Sequence, residues 1–197
     1  MLKNLLVAAV AFTAIQASAL NININVPLVD AKVLATKVLD EARVSKIPFT
    51  VGDSANYAVD MGGFIKGTLD MLVREETAEG IWLEQNIDLM IQKSKVETLF
   101  DAETGQVKKM LVDGKEQKLE EGGKSEIVES KPDTITVPKG EFECTYVKIK
   151  NTDANGQSSE AELWINPELV PIVGLIKQVA QSQFGPVTIE LTDFKKQ

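Results

Sequence analysis

Histidine is absent from all 197 residues, and cysteine occurs once, as Cys144. The first absence excludes Ser-His-Asp and Cys-His catalysis, imidazole metal sites and imidazole pH switching. The second excludes an internal disulfide, so packing must stabilise the fold. Aromatic residues make up only 6% of the chain. After the first nineteen residues no apolar run approaches the length of a membrane span, which needs about twenty residues.

Those nineteen residues stand apart. "MLKNLLVAAVAFTAIQASA" has a basic start at Lys3, an apolar core from Leu5 to Ile15, and Ala17 and Ala19 in the A-x-A spacing of a signal-peptidase site. Residues 1–19 read as a secretory leader, and no cysteine near the cleavage point supplies a lipobox. Residues 20–197 then form one domain, large enough for a sizeable core. Removal of Lys3 leaves twenty basic and twenty-nine acidic side chains, a net charge of −9. That charge disfavours nucleic acid and anionic membrane surfaces as partners.

"PLVDAKVLATKVLDEARV", Pro27 to Val44, spaces Leu28, Ala31, Ala35, Val38 and Ala42 as one stripe of an amphipathic helix. Beyond Tyr57 the period falls to two. Leu69, Met71 and Val73 alternate with polar neighbours, as do Ile81, Leu83, Ile87, Leu89 and Ile91. Turn signals "AEG", "DAETG", "DG", "GG" and "DANG" punctuate the strands, and a last hairpin is expected between Leu175 and Phe194. The strand Phe142 to Lys150 alternates so that both faces are covered, which predicts a central position. Residues 115–131, dense in acids and lysines, read as an exposed excursion.

The fold class expected is mainly β (α+β): a curled antiparallel meander forming an incomplete barrel, covered by the N-terminal helix and apolar loops. A flat sheet of so many strands is uncommon, so this one must curl.

Catalytic groupings are scarce. Glu75 and Glu76 are adjacent, so a strand sends them to opposite faces. "DAETGQ" lacks the closing acid of a calcium loop, and Ser54, Ser158 and Ser159 have no base. No enzyme activity, metal or cofactor is expected. The candidate ligand-binding residues are apolar instead. Trp82 and Trp164 are each out of phase with their flanking apolar neighbours, and each reads equally as a sheet cap or a pocket wall. "ELWINPELVPIVGLIK" adds Leu169, Val170, Ile172 and Val173, either as the rim of a cavity or as a plug at the end of the sheet.

Two segments together carry a resemblance. "TVPKGEFEC", Thr136 to Cys144, and "WINPELVPIVGLIK" some twenty residues on resemble a signature of secreted bacterial proteins of the LolA/LolB-like superfamily. Val137, Gly140, Phe142, Cys144, Trp164, Val170, Pro171, Gly174 and Lys177 match it. The resemblance implies a half-barrel around an apolar cavity, and periplasmic carriage of a lipid, an acyl chain or lipoprotein acyl chains, with a part in outer-membrane biogenesis. In those carriers an arginine on the sheet holds the lid; no motif here assigns that role to Arg74. The competing expectation is an envelope scaffold or interaction protein whose sheet interior is filled by its own side chains. Intact-mass measurement of periplasmic protein should give a chain beginning at Leu20; retention of residues 1–19 contradicts both cleavage and export.

Overall fold

The computed structural model describes residues 49–90, 92–118, 124–152, 156–182 and 185–197, together with a two-residue ladder between β1 (Ile15–Gln16) and β2 (Asn23–Ile24). The helix expected over 27–44 and the rest of the expected leader lie outside the described residues. Among the described residues there is no helix.

Eleven strands form one antiparallel sheet. In chain order they are β3 (Ser54–Met61), β4 (Ile65–Thr77), β5 (Gly80–Leu89), β6 (Gln92–Phe100), β7 (Val107–Val112), β8 (Lys115–Glu116), β9 (Lys124–Val137), β10 (Gly140–Thr152), β11 (Ser158–Ile165), β12 (Leu175–Ser182) and β13 (Gly185–Lys195). The spatial order is β8-β7-β6-β5-β4-β3-β13-β12-β11-β10-β9. Two meanders therefore run outward from the central β3–β13 pair, and the sheet is not closed into a barrel.

Chain length alone shows that this sheet bends. Ten inter-strand steps of about 4.8 Å would set the edges of a flat sheet about 48 Å apart. Yet edge strands β8 and β9 are joined by only seven residues, which reach at most about 29 Å. Register shifts in five ladders, at Val73/Glu75, Leu99/Phe100, Lys148/Ile149, Trp164/Ile165 and Leu191/Asp193, supply local bends. The curl brings the β9–β10 turn onto β13, four strands away: Lys139 N donates to Leu191 O at 3.1 Å, and its ammonium pairs with Asp193.

The period-two pattern sets the inner face. Leu191, Tyr57, Leu69 and Ile87 stand in one cross-strand row, and Val187, Met61 and Ile65 in another. Of these, all but Ile87 and Ile65 are buried, and those two pack against the core. The expected phase of Leu69, Met71, Val73, Ile81 and Leu83 holds.

Two expectations change. The charged stretch to Lys131 contains the first half of β9, an exposed edge strand whose pairing to β10 the charge pattern hid. Strand β10 is penultimate rather than central. Its alternation still has a cause on both sides: Val147 and Ile149 join the core, while Phe142 and Cys144, on the alternate phase, are partly buried against it.

Gly67 sits in the row Ile189–Val59–Gly67–Leu89. A Cβ there would lie 2.1 Å from Asp88 O and 2.8 Å from Leu89 Cα, both backbone atoms of the paired strand. Gly67→Ala should therefore lower unfolding free energy by about 1–3 kcal/mol, whereas Thr68→Ala on the other face should change it by less than about 0.5 kcal/mol. Urea denaturation of both variants makes the comparison.

Candidate functional site

The loop between β11 and β12 closes one end of the inner face. Asn166 begins it: its side-chain oxygen accepts the N–H groups of Glu168 and Leu169, each at 3.1 Å, forming the local turn that Asn favours. Its amide donates to Glu143 O at 2.9 Å, tying the loop to β10. Asn166 N then donates to Gly174 O at 2.8 Å and shuts the loop. Gly174 has φ +71°, and a Cβ there would lie 2.5 Å from Pro167 N, so both conformation and space require glycine. On the exposed side the Lys196 ammonium donates to the carbonyls of Pro167 and Glu168.

This geometry drives the middle of the loop inward. Val170 is 0% exposed and Ile172 3%, and both join the core that contains Leu163, Ile165 and Leu175. Ile172 takes φ +68°, an uncommon conformation for a β-branched residue. Leu169 turns outward at 50% exposure, and Val173 packs at the margin of the core. Next to the loop, the Tyr57 hydroxyl donates to Leu175 O at 3.2 Å. Burial raises the pKa of this phenol.

The tryptophans stand on the opposite, outer face, and four strands separate β5 from β11. Trp82 lies beneath Arg74, whose guanidinium carbon is 5.3 Å from the ring centroid. Arg74 occupies the β4 bulge and is held by Glu75 at 2.7 Å and by Glu97, with Lys95 bridging Glu84 at 3.0 Å. The hydrogen bond that Arg74 donates to Glu75 is the main cause raising the Arg74 pKa. Fully engaged on the outer face, Arg74 does not reach the inner one.

Trp164 forms a second outer cluster. Its indole N–H donates to Asp133 Oδ2 at 2.8 Å, Tyr146 meets it edge-on at 5.2 Å, and the Lys177 ammonium is 5.9 Å from its centroid. The indole hydrogen bond is the main cause lowering the Asp133 pKa. Lys131, Tyr146, Trp164, Lys177 and Glu190 are in register across five strands, so this row has the form of a cross-strand stabilising ladder.

The structure thus brings Val170 and Ile172 together and leaves Trp82, Trp164 and Leu169 elsewhere. Sequence reasoning passes over Gln85, Thr98 and Gln178, which are buried on the inner face. Their signal is a polar residue at an apolar phase: Gln85 shares the alternation of Leu83 and Ile87. Among the described residues no three acidic, cysteine or histidine side chains are grouped to hold a metal.

No family model matches the chain, and no curated protein matches it by sequence. Among solved structures it is similar to a candidate exported protein with a YmcC-like fold from Bacteroides fragilis, at 11% identity and TM-score 0.42, covering 77% of this chain and 99% of that one. A candidate lipoprotein from Parabacteroides distasonis is similar at 14% identity and TM-score 0.38, covering 76% and 97%. MucB, in complex with MucA(peri), is similar at 12% identity and TM-score 0.41, covering 85% of this chain and 56% of that one.

Cys144 gives a test of the covered outer side of β10. Burial pushes its thiol up to about 11, with the Asp133 charge adding to the effect. At pH 8 its thiolate is scarcer than that of a free cysteine by roughly two orders of magnitude. Native alkylation should be slower in proportion and keep accelerating above pH 10. Because the folded pKa lies above the unfolded one, Cys144 contributes stability that is present below about pH 8.5 and lost as pH rises towards 11.

Proposed function

We propose that this is a non-enzymatic envelope protein that binds or carries a hydrophobic ligand, such as a lipid or an acyl chain, on the inner face of its bent sheet. The observation that carries the reading is the mode of filling at one end of that face. Val170 and Ile172 are supplied by a loop rather than by a strand, and Ile172 is held at a positive φ to do so. Such an insert occupies the volume an apolar chain would take, and its strain favours release. Each methylene of a bound chain contributes about 0.8 kcal/mol when buried. Ten of them offset about 8 kcal/mol of loop displacement and ordering.

The same burial favours a second reading, an interaction protein whose interior is permanently filled, because the protein's own side chains leave Val170 0% exposed. The two differ in whether the interior exchanges its contents. Both tryptophans are on the outer face, so binding is best read by displacement of a fluorescent fatty acid rather than by intrinsic fluorescence. The ligand reading expects extractable amphiphile in purified protein and a melting temperature that rises with added fatty acid. Absence of both establishes the filled interior and removes the carrier.

A further inference from the structure

The apolar inner face has a polar interruption on β5 and β6. Gln85 lies opposite Val96, and Leu83, two residues earlier, lies opposite Thr98. Gln85 and Thr98 are therefore diagonal neighbours on the same face of one ladder, with Cα atoms about 7–8 Å apart. One small polar group can reach both. They are 1% and 0% exposed, and neither Gln85 Oε1 nor Thr98 Oγ1 has a hydrogen-bond partner among the described residues.

A buried acceptor without a donor destabilises the fold, and most buried polar groups avoid that state. Ser94, further along β6, illustrates the usual solution by donating to Asp113 Oδ1 at 3.2 Å. Near-isosteric apolar residues, valine for threonine and methionine for glutamine, would fill the same positions without the penalty. Met71 and Met110, which flank the pair in register with Gln85 and Thr98, have adaptable side chains suited to a changing occupant.

We propose that Gln85 and Thr98 form a notch that accepts the hydrogen-bond donor, a hydroxyl or an amide N–H, of an otherwise apolar chain lying on the inner face. This rests on the hydrophobic-ligand reading and narrows it, from any acyl chain to one carrying a donor along its length. A plain hydrocarbon leaves both oxygens unpaired, so the notch discriminates against it.

The test uses the full chain and displacement of a fluorescent fatty acid by palmitate, β-hydroxypalmitate and N-palmitoylglycine. Wild type should prefer a donor-bearing ligand to palmitate by about tenfold. The Gln85→Met, Thr98→Val double variant should bind all three equally, keep its affinity for palmitate and melt no earlier than wild type. If the double variant melts early, Thr98→Val alone decides, since its shape is unchanged. Equal wild-type affinities, or a preference that survives the substitutions, overturns the notch, including the case in which it holds only a water molecule. Failure of wild type to bind any of the three overturns the hydrophobic-ligand reading itself.

Discussion

Registration of a period-two pattern across the ladders of one sheet is the constraint on which the other features depend. Each inward row, such as Leu191–Tyr57–Leu69–Ile87, is apolar only because every turn between its strands keeps the phase. A slip of one residue in any ladder would send a row of acids and lysines inward. The bulges are compatible with this because the inward phase resumes on the far side of each. At β4 the bulge also releases Arg74 to the outer face, where it gathers Glu75, Glu84 and Glu97 over Trp82.

The two faces thereby divide the chemistry. Most charged side chains, both tryptophans and the cation contacts to them lie outside, where solvent limits the worth of each ion pair to about 0–1 kcal/mol. The inner face holds the apolar mass, and its few polar members are the informative exceptions. Tyr57 resolves its burial with a bond to Leu175 O, at the end of the same loop that inserts Val170 and Ile172. Among the described residues the Gln85 and Thr98 oxygens find no such partner. The contrast separates a polar group that holds the fold together from a pair whose oxygens are left open.

Much of the fold is legible in the order of the amino acids. The alternation of Leu69, Met71 and Val73 specifies both the strand and its buried side, and the phase of the tryptophans sets them apart from Ile81, Leu83, Leu163 and Ile165. The hairpin turns at Ala78–Gly80 and Asp113–Gly114 follow from their residues. What escapes such reading has physical causes. Lys124 to Lys131 form an edge strand, and edges are rich in charge because one side faces water, so the composition resembles that of a loop. The direction of Val170 and Ile172 depends on Asn166 bonding back to Glu143 and on Gly174 closing against Pro167, contacts fixed only once β10, β11 and β12 are assembled.

The position of β3 also has a kinetic consequence. Its partners are β4, the next strand made, and β13, the last, so Met61 pairs with Val187 across most of the chain. A chain emerging from its N-terminus completes the β3–β8 meander while one edge of β3 remains an unsatisfied template for any extended segment nearby. Closure waits for the C-terminal strand, which makes folding slow relative to local hairpin formation and concentrates the risk of misassembly in that interval.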